Sequence, residues 1–446
     1  MKIAYFSPLP PQRTGVADYS RELLPELVQR ATVDLWVDEP AADGLPECRR
    51  RLYDDPAQVR DEVRSYDAAI YHMGNSPAHR NIYRMLLAVP GVVVMHDFVL
   101  HHFFAACCLD EQRSPGSYIE EMAYNYGEAG AQLARGALHG ARQLWEDAPL
   151  RYPLNLRLLD HARGVIVHSD FTRRMICQSH PYLPVAKVNL PVTIAPPPPD
   201  ATELRRRYRI PCGHVVIGSM GYGSAAKRLD VVLRAIRRLG RDDVIYLLVG
   251  EIGASLRAQV RRSGLEEMVR VTGYVDWPAF NDYCNLIDVG VDLRYPTMGE
   301  SSASVCRLLG AGKPCVVSDV GWFAEVPDSC AIKLAAVPDE QALAACLAGL
   351  IADESLRHRL GASARKYILE NHNAAQAAAA YVDFVRAVHA MERRQSVRRA
   401  IVDMTGAAMT EIGVGPGDDP MIAGVAEQLA SLLTFRSPGG GDSEGA

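Results

Sequence analysis

The chain has 446 residues, too many for one hydrophobic core, since single cores stop growing near ~250–300 residues. Hydrophobic residues at 48% and charged residues at 23% exclude a largely disordered chain, a collagen and a disulfide-stapled mini-protein. A formal net charge of −5 argues against nucleic acid as the main partner, because such proteins carry a basic excess.

The opening, Met1-Lys2-Ile3-Ala4-Tyr5-Phe6, runs directly into a strand pattern, so no secretory signal is expected. Short apolar runs follow at Thr32–Val37, Ala68–Tyr71, Gly91–Met95 and Gly164–His168. They are apolar on both faces, as strands of a parallel sheet are when helices cover both sides. Helical patterns at Val16–Arg30, Ala78–Leu87 and Asp170–Ser179 alternate with them, which predicts a doubly wound α/β domain.

Leu190–Asp200 reads LPVTIAPPPPD, and four consecutive prolines permit neither sheet nor helix. A linker is placed at 191–211 on that ground. A second strand–helix series then runs through Val215–Ser219, Val244–Gly250, Val269–Thr272, Val289–Leu293 and Cys315–Ser318. The predicted organisation is an α/β chain of two Rossmann-like doubly wound domains facing a cleft. The first spans 1–190 and the second 212–369. A helix near 370–393 completes the first, and 394–446 forms a helical extension. The extension contains an apolar helical stretch, Met421–Leu433, and ends in Ser437–Ala446, which lacks hydrophobes and is expected to be disordered. The ten cysteines include no Cys-x-x-Cys pair and are expected to be reduced and buried. No apolar run reaches the ~18–20 residues a membrane helix needs, so the chain is expected to be cytoplasmic. The basic stretch Arg393–Arg399 reads as a solvated helix face or as a peripheral contact with anionic lipid.

In open α/β sheets ligands bind beyond the carboxyl ends of the strands, so the loops after each strand hold the candidates. After the first strand, Ser7–Gly15 is a proline-stiffened loop whose Gly15 opens a helix, a place where bare amides meet phosphate; Arg13 adds charge. After the third comes His72-Met73-Gly74-Asn75-Ser76-Pro77, and after the fourth His96-Asp97. Five of the thirteen histidines fall between 72 and 102, at a spacing that matches no metal motif, so no metal site is expected. His96 is placed to hydrogen-bond a hydroxyl or a developing charge; a histidine bonded only to backbone is the alternative. In the second half, Gly221 and its neighbours precede Lys227 and Arg228. A cation beside a glycine loop neutralises a diphosphate, or else forms a solvated charge pair. Arg294–Ser304 follows the strand Val289–Leu293. It offers Gly299, Glu300 to grip sugar hydroxyls, and Ser301 and Ser302, whose amides would open a helix facing the cleft.

These pieces together resemble the retaining, nucleotide-sugar-dependent glycosyltransferases of family four (group 1), which have the glycosyltransferase B (GT-B) fold. Ile3–Gly15, Gly91–Asp97, Val165–Ser169, Lys227-Arg228-Leu229-Asp230, and Gly299-Glu300 leading to Gly312-Lys313-Pro314 carry the resemblance, over about residues 1–390. It implies that the second domain holds the donor's nucleotide diphosphate, of UDP or GDP type, and that the first receives the acceptor. It further implies that Gly15 approaches the phosphates, Lys227 neutralises them, and His96 contacts the sugar near its reacting centre. The last helix, about Ala374–His389, crosses back onto the first domain. No metal or further cofactor is implied. His96, Glu300 and Lys227 are the expected catalytic residues. Gly15, Gly74, Asn75, Asp97, Gly221, Arg228, Gly299, Ser301 and Ser302 are the expected donor-binding set. The acceptor, whether glycan, lipid-linked or small molecule, stays open. Two alternatives stand beside this reading: a non-catalytic nucleotide-sugar-binding protein, and a nucleotide-sugar epimerase.

The sequence departs from the family pattern at one carboxylate. Families of this kind carry two glutamates with seven residues between them ahead of a Gly-x-Pro turn. Here the second position is Leu308 counting forward from Glu300, or Arg307 counting back from Gly312. The group that normally holds the nucleotide ribose is missing.

Overall fold

A computed structural model describes residues 1–38, 44–53, 55–139, 144–194, 196–337, 339–411, 422–425 and 427–428. Its contacts divide the chain into Met1–Val385, which contains both sheets, and Arg386–Ala446.

The first sheet has seven parallel strands: β1 Lys2–Phe6, β2 Thr32–Val37, β3 Arg49–Leu52, β4 Ala68–Met73, β5 Gly91–Met95, β6 Ala162–Val167 and β7 Val185–Lys187. Their order is β3-β2-β1-β4-β5-β6-β7, so the chain winds outward in both directions from β1 and β4. The second has six: β8 Val215–Met220, β9 Val244–Val249, β10 Val269–Val271, β11 Val289–Asp292, β12 Cys315–Ser318 and β13 Ala331–Leu334, in the order β10-β9-β8-β11-β12-β13. All pairings are parallel. The central strands are buried throughout, as their unbroken apolar runs require.

Every strand read from apolar runs is present. Three were not readable that way. Strand β3 is Arg-Arg-Arg-Leu on an exposed edge, β7 is three residues long, and β13 has a lysine in its middle. Edge strands lack the two-sided burial that produces the apolar signal.

The segment 191–200 contains no regular element among its described residues, as the prolines dictate, but the linker also carries a helix, Ala201–Arg207, capped by the Asp200 carboxylate on the amides of Thr202 and Glu203. The last helix, Ala374–Glu411, is longer than expected. Its Tyr381 is fully buried, bonds the Tyr19 hydroxyl at 2.5 Å and stacks on His72, so the start of this helix packs against residues of the first sheet's side. Of the Met421–Leu433 stretch only 422–425 and 427–428 are described, as helix; Ser437–Ala446 lies outside the described residues, as do the side chains of 392–400.

All ten cysteines are free, and six are buried. Cys177 and Cys212 are exposed, against expectation, because one sits on an outer helix face and the other in the exposed turn just after the linker.

Candidate functional site

The strand ends of both sheets converge on one charged cluster. Asp292 closes β11, and Arg294 and Glu300 lie in the loop beyond it. Arg294 is nearly buried and touches both carboxylates, with Nη2 3.2 Å from Asp292 Oδ1 and Nε 2.9 Å from Glu300 Oε1. Glu300 Oε2 accepts from the Met298 amide at 2.6 Å and from Thr297 Oγ1 at 3.0 Å. The carboxylate is therefore held by a turn of its own loop.

Lys227 lies in the short helical turn Ala225–Lys227 after β8 and donates from Nζ to the Met220 carbonyl. Burial pulls its pKa below the ordinary lysine range. Asp292 and Glu300 oppose that shift, and Arg294 adds to it. A partly desolvated ammonium is poised to exchange its backbone partner for a phosphate oxygen. Gly221 adopts φ +89°, and a β-carbon there would stand 3.1 Å from Lys227 Nζ and 3.4 Å from Ser304 Oγ. Only glycine combines that backbone angle with that approach.

Asp97, after β5, faces the same cluster. Its pKa rises to about 7, through burial first and then the charge of Glu300; the Asn75 amide, 2.9 Å away, and Arg294 pull the other way. His96 packs among His72, His168 and Tyr19, with ring centroids 5.3, 5.1 and 4.8 Å away. Burial and the neighbouring imidazoles hold its pKa well below the ordinary histidine range, so it is neutral at pH 7.

Several expected donor ligands have other tasks. Asn75 spends its side chain on the protein, with Oδ1 accepting from the Phe103 amide at 2.9 Å and Nδ2 3.1 Å from His102 Nδ1. Gly74 makes room for neighbours, since a β-carbon there would lie 2.8 Å from His79 Nε2 and 3.3 Å from Asp97 Oδ2. Gly299, at φ +77°, faces Phe98, where a β-carbon would meet Phe98 Cβ at 2.4 Å. Its carbonyl accepts from Thr172 Oγ1, and the Met298 carbonyl accepts from the Val99 amide. This loop is thus a strap joining the two sheets, and Gly299 permits the join.

The helix expected to open at Ser302 begins at Ala303 and ends at Gly310. Ser302 is its cap: the hydroxyl accepts from the Val305 amide at 3.2 Å and donates to Asp292 Oδ2 at 2.9 Å. The free first-turn amides therefore start at Ala303, one residue later than read. Ser301 is partly exposed beside it. Arg228, at φ +48°, has its Nε 3.4 Å from Asp230 Oδ1. Gly15 is the first residue of the helix Gly15–Leu27, exposed, with open space where a β-carbon would project. Arg13 beside it stacks on the Tyr274 ring of the second half, 4.2 Å from its centroid.

Sequence reading did not single out Arg294, although it opens the segment Arg294–Ser304. An arginine next to a strand end carries no distinctive spacing, and only its two carboxylate partners mark it. Arg307, one of the two candidate positions of the missing glutamate, is buried and donates to Glu22 Oε1 at 2.5 Å. Trp277 covers its guanidinium at 4.7 Å.

On the first half's side of Asn75 a cavity of about 220 Å³ opens, lined by Asn75, His102, Leu109, Asp110 and Trp145 among others. His102 Nε2 lies 3.1 Å from Glu146 Oε1, and Trp145 is braced against His101 and Tyr118.

Two separately wound sheets with strand ends facing one cluster have close parallels among solved structures. HepE from Anabaena, solved with UDP and glucose, superposes with a TM-score of 0.62 at 15% identity, covering 87% of this chain and 100% of that one. Sucrose-phosphate synthase from Thermosynechococcus elongatus gives 0.61 at 15% identity, over 88% and 100%. WaaG, a glycosyltransferase of lipopolysaccharide biosynthesis, gives 0.58 at 14%, over 86% and 99%. This is the GT-B fold. Residues 213–353 match the family Glycosyl transferases group 1, a span that contains Lys227, Arg294 and Glu300. No curated protein matches the chain in sequence. Among the described residues, no helix of this GT-B protein is long and apolar enough to cross a membrane.

Proposed function

We propose that this protein is a glycosyltransferase that moves a sugar from a UDP- or GDP-type donor to an acceptor hydroxyl, with retention of anomeric configuration and without a metal ion. The observation that carries the reading is the shared cluster of Lys227, Arg294, Glu300 and Asp97, drawn from both sheets. Negative charge develops on the leaving diphosphate, and fixed cations there stabilise the transition state more than the ground state. Lys227 and Arg294 supply that charge. Glu300, freed from its loop contacts, and neutral His96 orient the sugar. The acceptor approaches from the first half, where Trp145 offers an aromatic face and Asp110 a carboxylate, chemistry that suits a sugar ring. The match to group 1 glycosyl transferases and the UDP–glucose complex of HepE support the donor class.

The test is a thermal-shift panel of UDP, GDP, TDP, ADP and their sugars on wild type and Lys227→Ala. A ligand at ~100 times its dissociation constant adds about 2.7 kcal/mol. One nucleotide stands out, and its shift disappears in the variant. No shift with any nucleotide would sink the reading. Arg307 in place of a ribose-holding carboxylate favours a second reading, a protein that binds the donor without turnover. Release of free sugar from the bound donor separates the two.

A further inference from the structure

The buried histidines of the first sheet share one pattern. His79 Nδ1 lies 2.9 Å from the His72 carbonyl, His101 Nδ1 2.7 Å from the Tyr152 carbonyl, and His168 Nδ1 2.8 Å from the Val188 carbonyl. A carbonyl only accepts, so each of these rings carries its proton on Nδ1 and leaves Nε2 bare. His168 Nε2 is buried with no partner, and His101 Nε2 accepts from the Tyr118 hydroxyl at 2.7 Å.

His72 breaks the pattern in its partner. Its Nδ1 lies 3.0 Å from His96 Nε2, and its Nε2 is buried with no hydrogen-bond partner. One proton occupies the His72–His96 contact, and it belongs to one ring or the other. If it sat on His96, His72 would carry its own proton on Nε2, an N–H buried with no acceptor. If it sits on His72, the orphan atom is a lone pair. Buried unpaired N–H groups are rarer than under-used acceptors. Both rings are neutral, held so by burial first and then by neighbouring imidazoles, His168 and His79 among them, which leaves only these two arrangements.

We propose that His72 is a positioning residue: its Nδ1–H fixes His96 as the tautomer that presents Nδ1–H, making His96 a hydrogen-bond donor rather than a base. His96 is partly exposed, and its Nδ1 has no hydrogen-bond partner among the described residues and is not a buried orphan, so that N–H is the one a ligand reaches. The set is no metal site, since no three His, Cys, Asp or Glu among the described residues are grouped to hold an ion. As a donor, His96 serves an electron-rich sugar oxygen and takes no proton from the acceptor. This kinetic consequence rests on the glycosyltransferase reading; the tautomer does not.

The experiment uses full-length protein with ¹⁵N-labelled histidine and two-bond ¹H–¹⁵N imidazole spectra near pH 7.5, with His96→Gln to assign the resonances. The wild-type His96 ring shows protonated Nδ1. His72→Asn, whose side-chain amide occupies the Nδ1 position and donates, keeps that signature. His72→Leu loses it and shifts His96 toward the Nε2–H form. Release of sugar from the nucleotide sugar that binds in the thermal-shift panel falls at least tenfold in His72→Leu, recovers in His72→Asn, and the nucleotide's thermal shift stays unchanged in both. An Nε2–H tautomer in wild type, or a His96 signature unaltered in His72→Leu, overturns the proposal. Should His72→Leu fail to fold, the wild-type spectrum alone decides. A wild type that releases no sugar yet shows Nδ1–H would overturn the transferase reading and leave the positioning role standing.

Discussion

Arg307 and Glu22 form a buried ion pair across 285 residues of sequence, guanidinium Nη2 to carboxylate Oε1 at 2.5 Å. Glu22 lies on the first helix of the chain, and its other oxygen accepts the Thr193 amide at 2.7 Å. Burial raises the pKa of Glu22, against the pull of Arg307. Burial also opposes the charge on Arg307, but Glu22 more than offsets it and raises that pKa. The pair ties the first half to the helix that follows the charged cluster, at one of the two positions where a ribose-holding carboxylate was expected. Breaking such a pair strands a buried charge, at a cost of about 3–5 kcal/mol. Glu22→Ala and Arg307→Ala should each lose that much in urea unfolding. The double variant Glu22→Leu/Arg307→Met should lose far less than the sum. Additive losses would mean that the two groups are not coupled.

Arg294 is the second cation of the cluster, and it holds Asp292 and Glu300 together. Arg294→Lys keeps the charge but cannot span both carboxylates. Nucleotide affinity should weaken by about tenfold, or 1.4 kcal/mol, in isothermal titration. Arg294→Ala should weaken it further. Unchanged affinity in both would remove Arg294 from the donor site.

Asp97 predicts a pH dependence of stability. Its folded pKa, about 7, lies above the ordinary 3.8. Between those values the unfolded chain ionises and the native one does not, so stability falls as pH rises from about 4 to about 7 and is level above. Asp97→Asn has no such ionisation. Its melting temperature should gain on wild type across that window and hold the gain above it. A constant difference between the two would contradict the placement. The neutral histidines act oppositely, costing stability as pH falls below their ordinary 6.5, but they are common to both proteins.

Gly299→Ala tests the strap. The new methyl would meet Phe98 in a backbone angle that L-residues avoid, and strain of that kind costs about 1–3 kcal/mol. Melting temperature should drop, and nucleotide affinity should drop with it because Glu300 is adjacent. Gly221→Ala shares the unfavourable angle but abuts Lys227, so affinity should suffer there more than stability.

Trp145→Ala separates acceptor from donor. Release of sugar from the donor into water should persist, while transfer to a sugar acceptor should fall at least tenfold. Equal loss of both activities would place Trp145 outside an acceptor site.

The central strands were legible because two-sided burial leaves an unbroken apolar run, as in Gly91–Met95 and Val244–Val249. Lys227, Glu300, His96 and Asp97 were legible as candidates because each follows such a strand, and strand ends face the ligand side of an open α/β sheet. Arg294 was not singled out, Asn75 and Gly299 were assigned to the ligand when they serve the protein, and the helix start was misplaced by one residue. In each case the deciding contact joins residues far apart in sequence, or spends a hydroxyl or amide that spacing cannot show to be spent.

Two parallel α/β sheets, the proline-rich break between them and the loops where chemistry had to lie could be read from the chain before folding, because periodicity, proline and chain order are local properties. The tertiary structure alone decided that Arg307 answers Glu22, that Gly299 clamps one half to the other, and that His72 stands 3.0 Å from His96. Burial creates those relationships. Removing water makes a charge require a partner and an imidazole commit to one tautomer, and which groups lose their water together is settled only when the chain has folded.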